Sequence, residues 1–128
     1  MSIIIKLPFP PMELMPNRRL GRHWGSTHDI KTGSREGAHK ATQETMNTWK
    51  EPEGNIPVSL LFLSPDKRKR DLDNLLAASK AALDGIAQAL GVDDKRFKPI
   101  LIDEDYAGGL GSTVVAVNVQ VMSFQEVA

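Results

Sequence analysis

The run from Leu72 to Leu90 constrains the fold of this chain most. Leu75, Leu76, Ala82, Leu83, Ile86 and Leu90 keep helical spacing, and Gly91 stands where a left-handed cap closes a helix. Ahead of it, Ile56 to Leu63 is apolar almost throughout, with Pro57 near its start, and reads as a largely buried strand. Ser64-Pro65-Asp66 closes that strand. Between strand and helix stand four cations, Lys67-Arg68-Lys69-Arg70, followed at once by Asp71-Leu72-Asp73-Asn74.

The remaining elements arrange themselves around this unit. Residues 2–7 are β-branched and read as a first strand, stopped by Pro8. Pro8 to Gly33 shows no clear period and reads as a long loop, a length that in a compact domain usually signals function. From Ser34, a plausible N-cap, to Lys50 the pattern is helical, with Ala38, Ala41, Thr45 and Trp49 as a thin inward stripe. Residues 51–55 form a turn. Pro99 to Asp105 reads as a third strand, Gly108, Gly109 and Gly111 as a loose hairpin turn, and Ser112 to Met122 as a fourth strand. The order β-α-β-α-β-β predicts an α+β fold in one domain over 1–128: a mixed four-stranded sheet with two helices on one face. There are no repeats and no linker.

At 128 residues the chain is long enough to build a core without staples. It has no cysteine, which excludes disulfides and thiolate zinc sites and fits a reducing cytoplasm. The apolar start is broken by Lys6 and Pro8, too short for a secretory signal, and no stretch approaches the roughly 18 apolar residues that would span a membrane. Lys plus Arg and Asp plus Glu both total 16, so net charge favours no partner. The distribution is more telling. Arg18, Arg19, Arg22, Lys31, Arg35 and Lys40 face only Asp29 and Glu36 between Asn17 and Lys40, whereas acids gather between Asp93 and Asp105. A neutral chain with segregated charge can still carry a basic binding face.

Asp71 and Asp73 have an ordinary reading, because one Asp caps a helix through hydrogen bonding and the dipole. Two carboxylates plus Asn74 exceed what a cap requires and offer oxygen ligands for a divalent metal. An EF-hand fails: a loop starting at Asp71 has Leu76 at its Gly position and Ala82 at its Glu position. Lys80 falls seven residues after Asp73, nearly the same azimuth on a continuous helix, and Asp84 follows on that stripe. The plain alternative for that pair is an exposed helix face. Asp93 and Asp94 stand just past the helix end, where the dipole disfavours carboxylates and a cation would offset the cost. The run Lys67, Arg68, Lys69, Arg70 is either a solvated stretch or a grip on phosphate beside the acids. Trp24 either stacks on a base or anchors its loop. His23, His28 and His39, without cysteine, make a poor zinc set.

At these residues the chain resembles the RusA family of Holliday-junction resolvases. The likeness is carried by Leu7-Pro8-Phe9-Pro10-Pro11 with Asn17 and the arginines after it, by Arg70-Asp71-Leu72-Asp73-Asn74-Leu75, and by Lys80-Ala81-Ala82-Leu83-Asp84 running to Asp93-Asp94. The resemblance implies a homodimer that binds DNA four-way junctions and nicks opposing strands with Mg²⁺, or Mn²⁺ in its place. It implies Asp71, Asp73 and Asp94 as metal-binding and catalytic acids, with Asp93 the alternative to Asp94. It also implies Lys80 as the essential lysine and Arg70 as a phosphate contact. The family lysine follows the second Asp by four residues; here that position is Ala77, so the role passes to Lys80, one turn later. Lys67, Lys69, Arg68 and the arginines at 18, 19 and 22 would position the DNA backbone. Two readings stand beside this one: a branched-DNA-binding protein without catalysis, and a Mg²⁺ nuclease for flaps or forks.

Overall fold

Strand β2 (Ile56–Ser64) is built to lie between two layers. Ile56, Val58, Leu60, Phe62 and Ser64 are buried, and the residues between them are more open. Strand β4 (Ser112–Val117) bonds to one edge of it antiparallel, and β3 (Phe97–Tyr106) bonds to the other edge in parallel. Strand β1 (Ile3–Leu7) joins β4 antiparallel, which gives the sheet order β1-β4-β2-β3. The computed structural model describes residues 2–16 and 24–119, and of 24–26 the backbone alone.

A parallel pair needs a crossover connection. Helices α2 (Leu72–Ala78) and α3 (Lys80–Leu90) supply it between β2 and β3. Leu75, Ala78, Leu83, Ile86, Ala87 and Leu90 bury their side chains with Ile3, Ile5, Val58, Leu60, Phe62, Val115 and Val117 in one core. Helix α1 (Trp24–Gln43) packs along α3 and contributes Ala38 to that core. The result is an α+β domain, a mixed four-stranded sheet with three helices packed on it. Among the described residues no helix is long and apolar enough to cross a membrane.

The single helix expected over Leu72–Leu90 is two helices, broken at Ser79. The Ser79 hydroxyl donates to the Leu75 carbonyl at 2.9 Å, and its backbone (φ −97°, ψ −1°) tightens the turn with an N–H bond to Leu76. Serine bonded back to the preceding turn bends helices, and spacing alone does not reveal it. The end of α3 is as expected: Gly91 is left-handed (φ 73°), and the Val92 N–H reaches the Ala87 carbonyl at 3.0 Å to close a Schellman motif.

The first helix corrects the sequence reading more strongly. The segment taken as a loop to Gly33 is helical from Trp24, and the helix expected to reach Lys50 stops at Gln43. Gly33 and Gly37 lower its intrinsic propensity, and its apolar stripe is thin, so tertiary contact has to hold it. That contact is close. A Cβ on Gly85 of α3 would stand 2.1 Å from the Arg35 carbonyl oxygen and 3.1 Å from the His39 nitrogen, both backbone atoms of α1. The crossing exists only because residue 85 has no side chain. The strand bounds shift less: β3 starts at Phe97 rather than Pro99, and β4 ends at Val117, short of the expected Met122, with 120–122 outside the described residues.

Gly85→Ala is therefore expected to cost about 2 kcal/mol or more, as overpacking against backbone does. Urea unfolding followed by circular dichroism reads this directly. An unchanged midpoint would mean that α1 can slide away without loss.

Candidate functional site

The basic turn leaves the carboxyl end of β2 and is organised by Asp66. Its carboxylate accepts the Arg68 backbone N–H at 2.9 Å, Arg68 Nη2 at 3.1 Å and Arg70 Nη2 at 3.0 Å. Arg70 also donates from Nη1 to the Arg68 carbonyl at 3.2 Å, and its guanidinium lies 5.1 Å from the Phe9 ring centre. With its side chain only 12% exposed, Arg70 is held in place before any ligand arrives. Lys67 sits over the Tyr106 ring at 5.3 Å, and Lys69 is exposed. The Arg68 side chain and N–H, and then Arg70, hold the Asp66 carboxyl down at about 2. The run is thus a turn clasped by Asp66, with Lys67, Arg68 and Lys69 exposed and Arg70 held in.

This turn forms one wall of a depression of about 660 Å³, whose lining includes Phe9, Lys69, Arg70, Asp71, Asn74 and Glu104. Asp71 holds the N-cap position of α2 by its backbone (φ −76°, ψ 130°), and its carbonyl accepts the Asn74 and Leu75 N–H groups at 3.1 Å. Its carboxylate makes no capping bond and is exposed. Asp73 lies in the first turn of α2, also exposed, and does not line the depression. Glu104 enters from β3 and accepts a short hydrogen bond from the buried Ser64 hydroxyl.

The other predicted residues gather elsewhere. Lys80 opens α3 and lines a second depression, about 410 Å³, with Asp84, Lys31 and Arg35. The break at Ser79 ends the continuous helix on which Lys80 would follow Asp73. Asp93 caps a 3-10 turn (Asp94–Arg96), accepting the Lys95 N–H at 2.9 Å, and that bond lowers its pKa. Asp94 behaves oppositely. Partial desolvation, then a hydrogen bond and the charge of Asp84, then Asp93, raise its pKa above the ordinary carboxylate value. Arg96, the nearest cation in sequence after Lys95, is engaged with Glu51 at 2.7 Å and with the Pro52 and Gly54 carbonyls.

The predicted acids thus fall into two groups: Asp71 and Asp73 at the start of α2, and Asp94, which follows α3 in the chain, with its neighbour Asp93 and with Asp84 of α3. Among the described residues no three His, Cys, Asp or Glu side chains gather closely enough to enclose a metal ion. Arg18, Arg19 and Arg22 lie outside the described residues. Sequence reasoning missed Asp66 and Glu104. Asp66 had a signal, since it precedes Arg70 by four residues and Arg68 by two. Glu104 had none, because only the parallel register that sets Phe62 against it brings it beside Ser64 and the turn.

A carboxyl depressed in the fold supports stability above its unfolded pKa and loses that support as pH falls through its folded value. The Asp66 clasp should therefore open as pH falls from the ordinary carboxylate value of 3.8 to about 2. Carboxyl chemical shifts across an acid titration should place the Asp66 midpoint near the lower limit, and Arg68→Ala should move it upward. A midpoint in the ordinary carboxylate range would show that the clasp does not form.

No family model matches the chain. Over 117 residues, covering 88% of this chain and 74% of the other, it is 32% identical to an uncharacterized protein of Xylella fastidiosa. On identity at that level across most of both sequences, the chain belongs to the same family as that Xylella fastidiosa protein.

Proposed function

We propose that this protein is a metal-dependent endodeoxyribonuclease of the RusA type, a homodimer that nicks opposing strands of DNA four-way junctions. The observation that carries the reading is the corner formed by Arg70, Asp71 and Asn74. Asp66 and Phe9 preorganise the Arg70 guanidinium, which lies in the same depression as a carboxylate that its helix does not use as a side-chain cap. A fixed guanidinium suits a phosphate oxygen, and it loses little side-chain entropy on binding one. Lys69 at the rim adds charge for the DNA backbone.

The proposed cofactor is Mg²⁺, with Mn²⁺ as substitute. An enclosed three-carboxylate site does not fit the described residues. Mg²⁺ needs less, since it commonly takes one or two carboxylates with waters and substrate phosphate. The Asp94–Asp84 pair fits that requirement, because the Asp84 charge beside Asp94 is what a cation would offset. Bound there, the ion would polarise the phosphodiester and neutralise developing charge. Asp71 and Asp73 would act from the α2 end. Lys80, exposed at the start of α3 beside Asp84, would donate to a phosphate or leaving oxygen.

A second reading, junction binding without cleavage, draws support from the separation of the two acid groups. One experiment divides the readings: synthetic four-way junctions incubated with Mn²⁺ or Mg²⁺, scored for binding and for paired nicks. The nuclease reading expects nicking by wild type. Asp71→Asn and Asp94→Asn should each lose at least roughly 100-fold in rate while retaining the junction, the upper end of what losing even an outer partner costs a metal site. Binding without nicking by wild type would leave the second reading, and neither binding nor nicking would remove both.

Two further outcomes follow from the same geometry. Arg70→Ala should weaken junction binding about tenfold, the loss expected for a charge-assisted contact, measurable by fluorescence anisotropy at fixed salt. Mg²⁺ or Mn²⁺ should raise the melting temperature of wild type. In Asp94→Asn that rise should be largely lost, while the metal-free protein melts slightly higher because the repulsion from Asp84 is gone. Identical melting shifts in both proteins would place the ion elsewhere.

A further inference from the structure

The helices pack against one face of the sheet, and the opposite face carries apolar side chains. In the observed register Ile4, Ala116, Ser59 and Leu101 form one row across β1, β4, β2 and β3. Lys6, Val114, Leu61 and Asp103 form the next row on the same face. Ile4 is 59% exposed, Leu101 52% and Leu61 37%, with Val114 and Ala116 half-buried between them. An antiparallel pair with one solvated face ordinarily shows polar residues there, and a contiguous apolar patch marks an interaction surface.

We infer that this helix-free face is the contact surface of a two-fold homodimer. The axis runs parallel to the strands along the seam between β4 and β2, and Lys6 of each copy meets Asp103 of the partner subunit. This deepens the dimer named in the proposed function, but its residues are separate from the site and its test needs neither DNA nor metal. The two rows are self-complementary. Turning a copy about that axis reverses each row over itself, as an isologous contact requires. Lys6 at one end then faces Asp103 at the other, twice over, and Val114 faces Leu61. In the neighbouring row Ile4 faces Leu101, and Ala116 faces Ser59. An axis across the strands would instead lay each strand over its own copy and leave Lys6 and Asp103 without opposite charge. Aligned packing of two twisted sheets at about 30° is the ordinary geometry for such a contact. One Asp103 oxygen accepts the Glu104 N–H at 2.8 Å, which leaves the other for the partner's lysine.

The test is sedimentation velocity on the full chain across the micromolar range, without DNA or metal. Wild type should be a dimer. Leu61→Asp, Lys6→Asp and Asp103→Lys should each weaken the dimer at least about tenfold, and Lys6→Asp with Asp103→Lys should restore most of the loss. Circular dichroism and thermal melts check that each variant folds. If Leu61→Asp does not fold, the two exposed charge reversals and their rescue carry the result. A monomeric wild type would overturn the inference. So would a dimer unmoved by either charge reversal, or a double variant no better than the singles. A monomer that still nicks junctions would sink this dimer and spare the nuclease; a dimer without nicking or binding would do the reverse.

Discussion

The position of β2 between an antiparallel and a parallel neighbour is the constraint on which the rest depends. Because β3 runs parallel to it, the chain must leave Ser64, cross the sheet, and return at Phe97. The start of that crossover is the basic turn, and its body is α2 and α3. The carboxyl ends of β2 and β3 therefore lie side by side, and there the Ser64 carbonyl accepts the Ala107 and Gly108 N–H groups. In open α/β sheets, ligands bind beyond the carboxyl ends of parallel strands, where connections diverge. The depression with Arg70, Asp71 and Glu104 occupies that place here, so its residues are brought together by topology rather than by nearness in sequence.

What the sequence made legible follows from how local each cause is. Gly91 was legible because a left-handed cap is a property of one residue and the turn before it. Strand β2 was legible as an apolar run, though not its alternating burial, and the burial of Leu75, Leu83, Ile86 and Leu90 was legible because periodicity reports which face is covered. Helix α1 was not. Its residues from Trp24 carry three glycines and little apolar pattern, and what holds it is the absence of a side chain at Gly85, a position fifty residues from Arg35. The bend at Ser79 was hidden for a different reason. A serine in a helix can point to solvent or bond backward, and only packing decides.

The site was legible in its residue types more than in its arrangement. Asp71 and Arg70 do share a wall of one depression, and the structure gives Asp93 a capping bond while setting Asp94 against Asp84. The two neighbouring acids thus differ in their surroundings: the Asp93 carboxylate is engaged by a backbone N–H, and the Asp94 carboxyl is raised by desolvation and by Asp84. Lys80 shows the limit of azimuth. Its alignment with Asp73 presumed an unbroken helix, whereas the helix breaks at Ser79 and Lys80 lines a depression with Asp84, Lys31 and Arg35.

The separation of the two groups bears on what the protein would recognise. From Asp71 to Lys80 the chain climbs nine residues of bent helix, roughly 13 Å at ordinary rise. A small phosphate ester held at Arg70 could not also meet Lys80 and Asp84. A nucleic-acid strand could, since its phosphates advance by about 3.4 Å each along the axis, so that three or four of them cover the distance. One phosphate would sit at the clasped arginine and another beside the Asp84–Asp94 pair, each group engaging a different link of the same polymer. Under the proposed function, a nucleic-acid strand would span both depressions where a small phosphate ester would reach only one.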